Sequence, residues 1–133
     1  MTAPNLRDRY LQDSINTASP GRLLIMLYDR LVLDLMQGEE ALRAGDQALR
    51  AASRETAHER LTHAQDIILE LRTSLDIEAW SGAPGLAALY GFLLTELIGA
   101  NIARDADRVA ACRALVEPLR DAWREAAAAA VAG

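Results

Sequence analysis

The sequence contains no lysine, one cysteine, two histidines and few aromatic residues, which make up 5% of the chain. The single cysteine, Cys112, excludes an internal disulfide and is compatible with a reducing compartment. Arginine alone carries the basic charge. The net charge of −5 gives no electrostatic reason to expect a nucleic acid or an anionic membrane as a partner.

Segments that direct a chain to a membrane are also missing from the sequence. Arg7 and Arg9 near the N-terminus are not followed by an apolar run, so no signal peptide is predicted. The longest apolar run, from Leu86 to Ala103, contains Glu96 and Asn101 and falls short of a comfortable membrane span. At 133 residues the chain is long enough for one domain with its own core. We therefore expect a cytoplasmic protein without stable membrane insertion.

Candidate catalytic and metal-binding residues are few. His58 and His63 point about 140° apart on a helix, whereas the zinc-protease pattern needs two histidines four residues apart on one face. Cys112 lies on an apolar seam without a nearby histidine, which favours a buried and inert thiol. The glycines do not form a phosphate-binding loop. We predict no catalytic residue, no metal site and no cofactor, and we interpret both histidines as groups on a solvated face.

The stretch from Thr17 to Asp29 combines a sharp helix start with a surplus of apolar side chains. The hydroxyl of Ser19 can cap the first turn, and Pro20 suits the position after it, where no amide hydrogen is needed. Between residues 23 and 33 only two side chains are polar. A helix packed on one side needs an apolar stripe only roughly 100° wide. Either this helix lies in the middle of a bundle, or one of its faces is kept for a partner.

Helical periodicity covers the chain after residue 18, and no segment alternates as a strand does. The predicted helices run from Pro20 to about Ala44, where Gly45 is a plausible stop, from about Ser53 to Asp76, from about Gly85 to Arg104, and from about Asp107 to Ala130. The second and fourth helices each carry one narrow apolar seam, and Pro118 should kink the fourth or remove a hydrogen bond. We predict an all-α, antiparallel four-helix bundle over residues 19–133, preceded by a flexible N-terminal arm over residues 1–18.

The first and third helices are apolar over a much wider arc than a bundle of four similar helices requires. The third helix could be central and encased by the others. Alternatively, the surplus could form a groove for a partner, since large exposed apolar patches usually mark interaction sites. Periodicity leaves both interpretations open.

Several motifs together resemble the flagellar secretion chaperone family, usually called FliS. The most specific is Thr17-Ala18-Ser19-Pro20 followed by the block from Leu23 to Asp29. The resemblance continues, in order and with fitting spacing, through Ala64–Leu71, Ser74–Asp76, Leu89-Tyr90, Ala100-Asn101 and Ala122–Ala126. It covers most of the chain.

The resemblance implies a cytoplasmic export chaperone rather than an enzyme. Such a protein binds the C-terminal segment of flagellin, prevents its premature polymerisation and aids its delivery to the flagellar type III export apparatus, with the cytosolic domain of the export gate as a further partner. A segment that is disordered in the monomer can fold as amphipathic helices against an apolar groove. The resemblance also implies that the N-terminal arm covers part of this groove when no client is bound.

The predicted partner-binding residues are the large apolar groups of the arm and of the two apolar helices, together with one asparagine. They are Tyr10, Leu11, Ile15, Leu23, Met26, Leu27, Tyr28, Leu31, Leu86, Leu89, Tyr90, Leu93, Leu97 and Asn101. The pattern does not separate groove from core, but the polar tips of Tyr28 and Tyr90 suit a groove edge. Asn101 is expected to bond to the backbone or help cap the following turn, and Trp123 to close one end of the bundle.

A second function class is compatible with the same surplus of apolar surface. A self-associating helical bundle without a flagellin client would bury that surface in a weak homodimer. Light scattering with and without a flagellin C-terminal peptide distinguishes this alternative from the chaperone.

Overall fold

The computed structural model of the protein describes residues 20–44 and 50–132. Within these ranges the chain forms four helices, which are Pro20–Arg43 (α1), Arg50–Ser74 (α2), Ala83–Ala103 (α3) and Ala106–Ala132 (α4). The predicted all-α bundle is confirmed, and each helix lies within a few residues of its predicted bounds. The N-terminal arm, the Ser19 cap and the Gly45 stop lie outside the described residues.

Charged pairs show how α1 and α4 lie against each other. Arg124 near the end of α4 contacts Asp29 near the start of α1 at 2.6 Å, and Arg43 at the end of α1 contacts Asp107 at 3.0 Å. The two helices are therefore antiparallel. Helix α1 packs against α2 and α4, and α3 packs against the same two helices. Helices α1 and α3 are therefore diagonal in the bundle, and their backbones are not in contact.

The short α3–α4 turn depends on two adjacent residues. Arg104 adopts a left-handed conformation with φ 54°, which ends α3 as a C-cap residue commonly does. The carboxylate of Asp105 then accepts hydrogen bonds from the backbone N–H groups of Asp107 and Arg108, at 3.1 and 3.2 Å. This side chain satisfies amides of the first turn and fixes the start of α4. Pro118 lies inside α4, and the helix continues through it.

The core is a continuous apolar cluster to which all four helices contribute. Its buried members are Tyr28, Leu31, Val32, Leu35, Leu61, Ala64, Ile67, Ile68, Leu71, Leu86, Tyr90, Leu93, Leu97, Ala100, Val109, Cys112 and Val116. The narrow apolar seams predicted for α2 and α4 supply the residues that these helices bury.

Helix α3 is apolar over a wider arc than it buries. Over Ala83–Ala103 it is long and apolar enough to cross a membrane by length and composition alone, so the expectation that this run falls short of a span is wrong. Its inward side chains pack in the bundle core, but only 28% of its most apolar window is buried. The interpretation of α3 as a central, encased helix is therefore also wrong.

Candidate binding site

One end of the bundle carries an open apolar cleft of about 480 Å³, which we call the end cleft. It lies where the start of α1, the end of α2, the α2–α3 loop, the start of α3 and the end of α4 meet. Its lining is Gly21, Leu23, Leu24, Leu27, Glu70, Leu71, Ser74, Leu75, Asp76, Ala79, Trp80, Leu86, Tyr90 and Trp123. This volume is within the range of ligand pockets, and leucines dominate the walls. The end cleft can therefore accept apolar side chains of a partner.

The indole of Trp80 forms one wall of the end cleft. Its ring contacts Trp123 edge to face, with centroids 6.4 Å apart. A Cβ atom added at Gly82 would come within 1.9 Å of the Trp80 ring, so glycine is needed there for the close approach of the indole. Trp80 is nevertheless 50% exposed, which leaves much of the indole available to a partner. Trp123, predicted to close one end of the bundle, lies in this cleft and also packs against Tyr28.

Two buried tyrosines connect the diagonal helices beneath the end cleft. The hydroxyl oxygens of Tyr28 and Tyr90 are 2.6 Å apart and share a hydrogen bond. Burial raises the pKa of both phenols, so both stay protonated at neutral pH. Tyr90 lines the end cleft as expected of a groove residue, but the polar tips of both tyrosines are buried and bonded to each other, so neither hydroxyl stands at a groove edge.

The outward face of α3 is apolar along the length of the helix. Phe92, Ile98 and Ile102 are exposed, and Ile102 reaches 80% exposure. Glu96 is the only charged residue between Ala83 and Ala103, and its carboxylate accepts a hydrogen bond from Arg108 at 2.9 Å. An uncharged helix face of this kind is unusual on a monomer and typical of an interaction surface.

A second exposed apolar stripe lies on α1. Met26 and Leu33 are two turns apart on the same face, and Met36 lies near their line. Because α1 and α3 are diagonal in the bundle, this stripe and the outward face of α3 lie on opposite sides of the molecule. A partner that used both would have to wrap around the bundle.

Sequence comparisons identify the family of this bundle. The family described as "Flagellar protein FliS" matches residues 3–130. The chain belongs to the FliS family. The flagellar secretion chaperone FliS of Bacillus subtilis (strain 168) is 33% identical to it over 126 residues, which are 95% of this chain and 89% of that relative. The proteins of the same name from Escherichia coli (strain K12) and Vibrio cholerae are 29% and 27% identical, over 86% and 85% of this chain and 81% and 79% of their own lengths.

Membership of the FliS family gives the protein its general role, which is that of a flagellar export chaperone. The family consists of chaperones rather than enzymes, so the prediction of a non-enzymatic protein is confirmed. A chaperone of secretion has a secreted protein as its client. Within the described residues, apolar side chains reach the surface of this FliS protein on the exposed faces of α1 and α3 and in the end cleft.

The structure divides the predicted partner-binding residues into three groups. One group is buried in the core, and of its members Leu86 and Tyr90 also line the end cleft. It contains Tyr28, Leu31, Leu86, Tyr90, Leu93 and Leu97. A second group is exposed or partly exposed, and contains Leu23, Met26, Leu27, Leu89 and Asn101. Tyr10, Leu11 and Ile15 lie outside the described residues.

The Asn101 side chain contacts a neighbouring helix instead of capping a turn. Its amide donates a hydrogen bond to Nδ1 of His58 on α2, at 3.1 Å. The expectation of a bond to the backbone or a capping role is therefore wrong, and Asp105 caps the following helix. Asn101 links α3 to α2 at the end of the bundle away from the end cleft.

Sequence reasoning missed several exposed apolar residues that the structure places on the surface. They are Leu33, Met36, Leu69, Ile77, Trp80, Phe92, Ile98, Ile102 and Leu115. The signal that could have found those on α1 and α3 is the helical angle from the core stripe. Ile98 and Ile102, for example, project away from the line of Leu93, Leu97 and Ala100.

A buried carboxylate in α1 is a further feature that the sequence did not indicate. Asp34 is fully buried, and its side chain contacts His63 through one oxygen. Its other oxygen lies 3.5 Å from Arg30 and 3.8 Å from Arg60. His63 is exposed, as predicted for a group on a solvated face, but its ring also contacts the Asp34 carboxylate and so links α2 to α1.

The arrangement of titratable groups gives no support to catalysis. Cys112 is buried, and burial followed by the nearby Glu96 carboxylate raises the pKa of its thiol to about 11. The thiol is therefore protonated and unreactive at neutral pH, as predicted. Within residues 20–44 and 50–132, no group of histidine, cysteine and acidic side chains could hold a metal ion.

Proposed function

We propose that this protein is a cytoplasmic chaperone that binds the C-terminal segment of flagellin and prevents its premature polymerisation. In this proposal it also aids delivery of flagellin to the flagellar type III export apparatus. The observation that carries the proposal is the uncharged outward face of α3, which exposes Phe92, Ile98 and Ile102 in a member of the FliS family. A soluble bundle gains nothing from such a face unless a partner covers it.

The dimensions of this face suit a helical client. Helix α3 has 21 residues and is therefore about 31 Å long. An amphipathic client helix of similar length can lay its apolar side on α3 and the adjoining grooves, as helix-in-groove partners do. Ordering a disordered segment costs several kcal/mol, so a long apolar contact is needed to leave useful affinity. The end cleft extends the apolar contact to α1 and the α2–α3 loop.

Isothermal titration calorimetry tests this proposal directly. The protein is titrated with a peptide of the C-terminal segment of the flagellin from the same genome, and with a scrambled peptide of equal composition. We expect saturable binding of the native peptide with a negative heat-capacity change, because apolar surface is buried. Equal heats from both peptides would contradict the proposal.

The N-terminal arm, residues 1–18, enters the proposal as a cover for the apolar surface when no client is bound. Tyr10, Leu11 and Ile15 are its candidate contacts. The observation that supports it is the position of α1, whose first turn lines the end cleft at Gly21 and Leu23. Removal of residues 1–18 should change flagellin affinity and raise the binding of a hydrophobic dye to the free protein. Unchanged affinity and dye fluorescence would contradict this role.

The cytosolic domain of the export gate is proposed as a further partner of the client-loaded chaperone. The apolar stripe of Met26 and Leu33 on α1 supports this, because it lies opposite the face assigned to the client. Pull-down of the gate domain by the chaperone with and without flagellin peptide tests the interaction. Absence of the gate domain from both pull-downs would contradict it.

The alternative of a weak homodimer rests on the same α3 face, since an uncharged face is compatible with a second copy of itself. Light scattering across a range of protein concentrations tests it. A dimer that persists in excess flagellin peptide, with no peptide bound, would favour the self-associating bundle over the chaperone.

A further inference from the structure

Paired and unpaired acidic side chains are unevenly distributed in the bundle. On α1 and α4, Asp29, Glu39 and Glu117 each contact an arginine. By contrast, four exposed acidic residues project from the outer face of α2. They are Glu55, Glu59, Asp66 and Glu70, and none of them forms an ion pair with a residue that the structure describes. The outer face of α2 therefore carries a row of acidic side chains without a described ion pair, and the exposed arginines Arg54 and Arg72 flank this row.

The last of these carboxylates stands at the rim of the end cleft. Glu70 belongs to the cleft lining, and so does Asp76 in the loop that follows α2. They are the charged members of that lining, and no described basic side chain is part of it. Asp76 is held in place because one of its carboxylate oxygens accepts a hydrogen bond from the backbone N–H of Glu78, at 3.0 Å.

Apolar walls and an acidic rim together define the chemistry of an occupant. Leu23, Leu71 and Trp80 give the cleft apolar walls, which favour apolar side chains because contact with these walls removes apolar surface from water. A carboxylate beside those side chains would be repelled by the rim, whereas an arginine or lysine would be attracted to it. Complementary charge at a partly exposed rim contributes mainly specificity and association rate.

We propose that the end cleft is the anchor site for an apolar side chain of the client that has an arginine or lysine next to it, with Glu70 and Asp76 receiving the positive charge. The inference rests on the proposed function, since it names a subsite within the client contact. A second copy of this chain is a poorer occupant, because the net charge of −5 makes two copies repel each other.

The chain provides its own reporter for this site. Its two tryptophans, Trp80 and Trp123, both line the end cleft. A peptide of the flagellin C-terminal segment without tryptophan should therefore change the intrinsic fluorescence of the protein when it occupies the cleft. Binding seen by calorimetry without any change in fluorescence would place the client elsewhere and overturn the inference.

Charge variants of the protein test the acidic rim. Glu70→Gln should weaken peptide binding about two- to fivefold, as expected for a solvent-exposed ion pair, and Glu70→Lys should weaken it on the order of tenfold. Glu59→Gln is the matched control, because Glu59 is exposed on the same helix, carries no described ion pair and lies about three turns from Glu70. It should bind as the unchanged protein does. Circular dichroism confirms that all three variants fold.

Charge variants of the peptide complete the experiment. Each arginine or lysine of the peptide is replaced in turn by glutamine, and one replacement should reproduce the loss seen with Glu70→Gln. The affinity of that altered peptide should then be the same for the wild type and for Glu70→Gln. This result would show that the peptide charge and Glu70 interact. If the unchanged peptide binds equally to the wild type, Glu70→Gln and Glu70→Lys, the inference is wrong while the proposed function stands. If the wild type does not bind the peptide at all, the proposed function itself fails.

Discussion

Met26 and Leu93 were both predicted as partner-binding residues, but they differ in their exposure to solvent. Met26 is 57% exposed and Leu93 is 1% exposed. Met26→Glu should leave the bundle folded and weaken binding of the export-gate domain by about 1–2 kcal/mol, because Met26 lies on the α1 stripe proposed for that partner. Leu93→Glu should unfold the protein or destabilise it by more than about 3 kcal/mol, because a charge would be buried in the core. Thermal circular dichroism and a pull-down of the gate domain by both variants check this, and a folded Leu93→Glu protein would contradict it.

Asp34 is a residue whose contribution depends on partners distant in sequence. Arg30 lies four residues away on α1, but Arg60 and His63 come from α2. Asp34→Asn should lower the free energy of unfolding by about 1–3 kcal/mol, because it removes the charge that these groups surround. Asp121→Asn is the control, since Asp121 is exposed beside Arg120 and should change stability by less than about 0.5 kcal/mol. Urea denaturation measures both, and equal effects would contradict this account of Asp34.

Cys112 gives an expected pH dependence. Its thiol pKa is raised from 9.0 to about 11 in the folded protein by burial and by Glu96. Below pH 9 the thiol is protonated in both the folded and the unfolded protein. Above pH 9 the thiol of the unfolded protein loses its proton first. The free energy of unfolding should therefore fall between about pH 9 and 11. Urea denaturation of Cys112→Ala should show a shallower fall over this range, with the remainder arising from the buried phenols of Tyr28 and Tyr90. An identical fall in both proteins would contradict the role of Cys112.

At the scale of secondary-structure elements, the α2–α3 loop determines the shape of the end cleft. Trp80 lies over Gly82, and a Cβ atom at position 82 would overlap its ring. Gly82→Ala should displace the Trp80 indole from the cleft wall with little loss of stability, because Trp80 is half exposed and can move. We expect altered tryptophan fluorescence and weaker binding of the flagellin peptide. Gly85→Ala is the control, since a Cβ atom there meets nothing within 4 Å. Unchanged fluorescence in Gly82→Ala would contradict this role of the glycine.

The elements also show how far the sequence could predict the structure. Helix bounds and the seams of α2 and α4 followed from local spacing, because the 3.6-residue period acts along one segment. Local spacing did not show which of the surplus apolar side chains of α3 are exposed, because burial of Phe92 or Ile98 depends on which helices flank α3. The same limit applies to Asp34 and to the Tyr28–Tyr90 hydrogen bond, whose partners are joined by tertiary packing. The family motif was enough to indicate the role of the chain. The end cleft and the exposed apolar residues could be located only once the packing of the four helices was known.

At the scale of the whole molecule, the bundle is asymmetric in charge as well as in hydrophobicity. The α1–α4 interface is crossed by ion pairs such as Asp29–Arg124 and Glu39–Arg113. The outward face of α3 is uncharged apart from the Glu96–Arg108 pair at its edge. Ion pairs thus hold α4 on α1, while apolar surface is exposed on the outward face of α3 and on the stripe of α1. The proposed binding of a client on α3 would therefore leave the ion pairs that keep α4 on α1 undisturbed.

The double substitution Ile98→Glu and Ile102→Glu tests the proposed binding of a client on α3. Both residues are exposed, so the bundle should keep its helicity and its thermal unfolding temperature should change little. Affinity for the flagellin segment should fall at least about tenfold, because two charges would enter the apolar contact. The control is Ala111→Glu with Ala114→Glu, two exposed positions on α4. Calorimetry measures affinity, and light scattering at several concentrations measures self-association. If the α3 variant bound flagellin normally but lost self-association, the α3 face would serve a second copy of the chain rather than the client.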